Sequence, residues 1–128
     1  MFKLNHDSSS NILLIEINEN ILSKELLESL VHKVHKAIDS IDKNKNLNRL
    51  FDARELKVID INMNTLKYFS EITKRYNKNY KNIKIAIVAS TDLMFGEFRA
   101  HEVYGELPEI ERRIFRSLEE AYTWLKQS

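Results

Sequence analysis

Residues 82–89, NIKIAIVA, constrain the fold more than any other stretch, because from Ile83 to Ala89 only Lys84 breaks an apolar run. A strand with apolar side chains on both faces needs a cover on both, which is the position of a central strand in a parallel sheet flanked by helices. The run ends in the polar triplet STD, and a helical pattern follows over residues 92–107.

The rest of the chain reads consistently with such a sheet. MFKLN and ILLIEIN, separated by the polar cluster HDSSSN, predict an opening β-hairpin. Ser23 stands at an N-cap position, and Leu27, Leu30, Val31, Val34, Ile38 and Ile41 then recur at steps of three and four, giving a helix with one apolar stripe. A short third strand is expected from Asn48 to Asp52, followed by a connection over residues 53–61. Asn62 or Asn64 caps a second helix, whose stripe is Leu66, Phe69, Thr73, Tyr76 and Tyr80. Thr91 or Asp92 caps the third helix, Pro108 stops it, ERRIF forms a last strand, and Ser117 caps a closing helix, LEEAYTWLK. Alternation of strands and helices in this order predicts one α/β domain over residues 1–128, built on a mostly parallel sheet.

Composition narrows the functional classes. A net charge of +1 supplies no global attraction to nucleic acid or acidic lipid, and the absence of cysteine removes disulfides, thiolate catalysis and cysteine-bound metal. The N-terminal residues carry no long apolar stretch, so a cytoplasmic protein with no membrane span is expected. No Ser-His-Asp order, Gly-x-Ser-x-Gly elbow or metal motif is present, and the expectation is a non-enzymatic protein without cofactor.

The segment KIAIVASTDLMFGEFRAHEVY and the later RIFRSLEEAYTWL resemble the SpoIIAA-like, or STAS-like, family of small bacterial proteins. The matching residues are Phe95, Gly96, Arg99, Glu102, Phe115, Arg116, Leu118, Glu120, Ala121, Trp124 and Leu125. The resemblance implies a mostly parallel sheet of four or five strands, an N-terminal hairpin and about four helices. The anti-sigma factor antagonists of that family carry a phosphorylatable serine in the turn after the third strand. Here that turn is Asp52-Ala53-Arg54-Glu55, no serine occurs between Phe51 and Phe69, and Thr65 is the only hydroxyl near a helix start, so a phosphoregulated protein like the anti-sigma factor antagonists is a further alternative that needs a phosphorylated hydroxyl near Asp52. Distant relatives are grouped with lipid-binding domains, which implies a small apolar or lipid-like ligand as an alternative.

The third helix has two apolar arcs. At 100° per residue, Leu93, Gly96, Ala100, Val103, Tyr104 and Leu107 share one arc, expected on the sheet, whereas Met94, Phe95 and Phe98 point elsewhere. Three covers are open for the second arc: the 53–61 connection, a second copy or another protein, or a small apolar ligand. Met94, Phe95, Phe98 and Arg99 are therefore the candidate partner- or ligand-binding residues, and self-association through them is the leading expectation. Arg99 lies within reach of Phe95 and Glu102, as an anion anchor or as a clamp on the helix. Asp52, Arg54, Ser90 and Asp92, together with Thr91, form a polar rim at the strand ends, where open α/β sheets bind ligands. No glycine-rich phosphate cradle accompanies them.

Two further clusters have a structural and a functional reading. Glu28, His32 and His35 share an exposed strip of the first helix, a spacing open to zinc but lacking a fourth ligand. Lys74, Arg75, Lys78, Lys81 and Lys84 interleave with Tyr76 and Tyr80, but those tyrosines share the apolar stripe, and no nucleic-acid partner is expected. His6 and His101 have no evident partner in the sequence.

Overall fold

The computed structural model describes residues 1–41, 47–78, 82–101 and 110–127, without the side chains of Ala100 and His101. The elements are β1 (Phe2–Asp7), β2 (Ile12–Ile17), β3 (Ile21–Ser23), α1 (Lys24–Ile41), β4 (Asn48–Asp52), β5 (Val58–Asp60), α2 (Met63–Asn77), β6 (Ile83–Val88), α3 (Asp92–His101), β7 (Ile110–Phe115) and α4 (Leu118–Lys126). Tyr80, Lys81, Glu102, Val103, Tyr104, Leu107 and Pro108, all named above, lie outside the described residues.

The main sheet has the order β1-β2-β4-β6-β7. β1 is antiparallel to β2, and β2, β4, β6 and β7 are parallel to one another. The hairpin closes over residues 8–11, where the Asp7 carboxylate accepts from the Ser9 backbone and hydroxyl and Asn11 adopts a φ of 55°. Asparagine tolerates that left-handed conformation better than other residues with a Cβ.

Strand parity assigns the two faces. Leu13, Ile15 and Ile17 of β2 pack with Leu30, Val34 and Ile38 of α1 and with Met94 of α3. Residues of opposite parity, Ile12, Leu50, Ala86 and Val88, pack under Ala121, Trp124 and Leu125 of α4. β6 therefore contributes Ile83 and Ile85 to one side and Ala86 and Val88 to the other, which explains its apolar run. α1, α2 and α3 cover one face and α4 the other.

The caps follow from side-chain oxygens at the helix starts. Ser23, Asn62, Thr91 and Ser117 accept from the backbone N–H groups of Leu26, Thr65, Met94 and Glu120 at 3.1, 2.9, 3.1 and 3.2 Å. Two short elements depart from expectation, β3 ahead of α1 and β5 after β4. The connection over residues 53–61 contains β5, which pairs in parallel with β3 to form a second, two-stranded sheet. Its segment VID has only one intermediate position between two exposed ones, too little apolar contrast to read as a strand.

Candidate functional site

The orientation of α3 decides what the site is made of. Met94 is fully buried, and Phe95 and Phe98 pack partly buried against the same core cluster. Leu93, by contrast, is 62% exposed, and a Cβ on Gly96 would meet nothing within 4 Å. This corrects the expected rotation: the arc of Met94, Phe95 and Phe98 is the docking face, and the arc containing Leu93 and Gly96 looks outward. Within the described helix the docking arc carries a methionine and two phenylalanines, which remove more apolar surface from water than Leu93 and Gly96 could. Met94 is therefore no surface residue. Arg99 is exposed, with its guanidinium 5.9 Å from the Phe95 ring.

The polar rim forms at the C-terminal ends of the strands, but its members bind one another. Arg54 grips Asp52 through two of its guanidinium nitrogens, Nε at 2.8 Å and Nη2 at 2.9 Å, and Ser90 Oγ donates to the Arg54 carbonyl at 2.6 Å. Asp92 is paired with Arg116 at 2.6 Å, and the Arg116 guanidinium lies 4.4 Å above the Phe95 ring. Asp52, Arg54 and Ser90 thus form one group and Asp92 joins another, tying the β7 end to α3. Thr65 stands in the first turn of α2, its N–H bound to Asn62.

Beneath α1, α2 and α3 lies a half-open cavity of about 200 Å³. Its walls are mostly apolar: Leu30 and Val34 from α1, Phe51 and Ile85 from the sheet, Leu56 from the segment after β4, and Phe98 from α3. Among the described residues, the polar side chains that also line it are those of His35, Arg49, Thr73 and Arg112.

Strand register explains the two arginines. Arg49 pairs with Ile85, and Ile85 pairs with Arg112, so the three stand in one row across β4, β6 and β7 and project to the same face. With neighbouring strands about 4.8 Å apart, their Cα atoms are separated by roughly 10 Å. Arg49 is 2% exposed, and its Nη1 donates to Asn77 Oδ1 of α2 at 2.7 Å.

His35 corrects the exposed strip expected on α1. It is buried and stacked on Tyr76, whereas Glu28 and His32 are on the helix exterior. Burial first, and the nearby Arg49 charge second, push its pKa down to about 4, so the imidazole is neutral at pH 7. Among the described residues no group of three or more His, Asp or Glu side chains is placed to hold a metal ion.

Arg49, Asn77 and Arg112 were not singled out from the sequence. A signal for the arginines was present: Arg49 is in phase with Phe51 in its strand, and Arg112 with Ile110 and Ile114. A cation at an inward position of a covered strand is the feature to look for. Nothing in the sequence marks Asn77, which acquires its role only when α2 docks beside β4.

No helix among the described residues is long and apolar enough to cross a membrane. No family model matches the chain, and no curated protein matches it in sequence. Among solved structures, the chain is similar to an uncharacterized protein of the DUF3478 family from Shewanella loihica, described as having a SpoIIAA-like fold. The similarity covers 98% of this chain and 92% of that one, with a TM-score of 0.65 and 18% identity. Together with the mostly parallel sheet and its helices, this shows that the chain has a SpoIIAA-like fold.

Proposed function

We propose that the protein is a non-enzymatic binding module that holds a small, largely apolar molecule between the sheet and α1, α2 and α3. The cavity itself carries this reading, because a mostly apolar recess with a few polar groups in its wall is the usual form of a small-molecule site. A volume of about 200 Å³ is somewhat larger than the roughly 150 Å³ apolar cavity that takes up benzene, so a substituted ring or a short branched chain is the right size. The half-open cavity takes in a short acyl chain whole, whereas a two-chain lipid would leave most of itself outside. Self-association through the outer face of α3 loses its motivation, since Met94, Phe95 and Phe98 face inward.

The test is an amide-resolved NMR titration with toluene, on the wild type and on Ala53→Leu, which adds three carbons to the cavity wall. Saturable shifts at Leu30, Phe51 and Phe98, lost in the variant, are expected. Absence of saturable shifts in the wild type would overturn the reading. Mass spectrometry of gently purified, then denatured protein provides an independent search for the resident molecule.

A further inference from the structure

We propose that the molecule held in this cavity carries one hydroxyl group, as a small phenol or alcohol does, and that this hydroxyl hydrogen-bonds to the imidazole of His35 where α1 meets α2. The inference rests on the cavity being a binding site and adds the chemistry of the ligand's polar end.

His35 interrupts an apolar stripe. It follows Val34 and stands one turn after Val31, so the helix carries it inward with them, and it is only 6% exposed. Its ring is stacked on Tyr76 and lines the cavity. The same burial keeps the imidazole neutral at pH 7, with one N–H donor and one bare nitrogen that accepts. Among the described residues neither ring nitrogen has a hydrogen-bond partner. Buried polar side chains are seldom left so, because a polar group taken out of water forfeits bonds that nothing else replaces. A ligand in the cavity is placed to supply the partner.

Thr73 helps to select the head group. It precedes Tyr76 by three residues on α2, so it stands beside the ring on which His35 is stacked. Its hydroxyl proton is used on the Phe69 carbonyl, at 2.9 Å, which leaves its oxygen an acceptor in the cavity wall. The ligand's polar end therefore meets an acceptor in Thr73, and an acceptor and a donor in His35. A hydroxyl suits either tautomer of the ring, donating to the bare nitrogen or accepting from the N–H, whereas an ether or a ketone can only accept. It is also a small head, and leaves most of the cavity of about 200 Å³ to an apolar body against Leu30, Leu56 and Phe98.

The experiment compares para-cresol with para-fluorotoluene, nearly equal in size and differing in the hydroxyl, by NMR titration at neutral pH. A phenol buried without a partner loses its bonds to water, so a purely apolar cavity would favour para-fluorotoluene. The wild type is expected instead to bind para-cresol at least as tightly, and para-cresol is expected to shift the nitrogen resonances of the His35 ring. His35→Phe, which keeps a ring against Tyr76, is expected to weaken para-cresol at least tenfold relative to para-fluorotoluene. A wild type that prefers para-fluorotoluene would overturn the hydroxyl assignment and leave the cavity reading standing. A para-cresol preference that survives in His35→Phe, or His35 ring resonances that para-cresol leaves in place, would overturn the placement of the head group. Failure of both compounds to bind would overturn the cavity reading, and this inference with it. The wild-type titration and the ring resonances decide the head group even if the variant does not fold.

Discussion

The imidazole of His35 lies flat on the phenol of Tyr76, with ring centroids 4.3 Å apart and planes 10° from parallel. α1 and α2 therefore meet through a stacked pair in which one ring can take up a proton. That the ring is buried beside Arg49 makes its neutral form part of the folded state.

Stability should consequently depend on pH through this residue. The folded pKa, about 4, is below the ordinary value of 6.5, so as pH falls through 6.5 the unfolded chain takes up a proton that the folded chain refuses. The stabilisation is complete above the unfolded value and is lost as pH falls toward the folded one, at about 1.4 kcal/mol per pH unit within that window. His35→Phe keeps an aromatic ring against Tyr76 and removes the titration. Urea denaturation across this range should give a flatter profile for the variant, and an unchanged slope would assign the dependence to other groups.

The buried bond between Arg49 and Asn77 predicts strong coupling. Asn77→Leu takes away an acceptor from a buried cation and should cost about 2 kcal/mol. In the double variant Asn77→Leu, Arg49→Met the donor is gone too, and part of the loss should return, because the cost arises from a buried donor that has lost this acceptor rather than from the missing amide. A double-mutant cycle from chemical denaturation measures this directly. Strictly additive losses would show that the two side chains do not act together.

The layers of this fold were legible because parity and periodicity are local. The isoleucines of β6 on one parity, with Ala86 and Val88 on the other, announce a strand covered on both sides, and Ser23 and Ser117 announce helix starts. The rotation of α3 was not legible, because helical geometry fixes which residues share an arc but not which of two apolar arcs meets the sheet. The cavity depends on α1, α2 and α3 standing apart over one face, and the row of Arg49, Ile85 and Arg112 depends on register, neither of which a single strand reveals.

Arg116 should matter more than its ion pair. Asp92 is almost fully exposed, so Asp92→Asn is expected to change stability by less than about 0.5 kcal/mol, the usual scale of a solvated pair. Arg116→Ala also uncovers the face of Phe95 and should cost more, since an arginine stem contributes packing as well as charge. Raising the salt concentration should shrink the effect of Asp92→Asn and leave most of that of Arg116→Ala. Equal effects with equal salt sensitivity would reduce the contact to its charges.

Adjacent residues of α3 provide the sharpest test of its orientation. Met94 is fully buried and Leu93 is 62% exposed, although both are large and apolar. Met94→Ala should open a void under the helix and lower stability by about 3 kcal/mol, within the range of other buried methionines. Leu93→Ala should fall within about 0.5 kcal/mol of the wild type, as surface changes do. Glutamate sharpens the contrast: at position 94 a carboxylate would be driven into the core and the protein should lose its cooperative transition, whereas at 93 it faces water. Thermal and urea unfolding of the four variants measures the difference. If the losses at 93 matched those at 94, the helix would have to be rotated, with Gly96 on the sheet and the phenylalanines outside, and the wall that Phe98 gives the cavity would disappear with them.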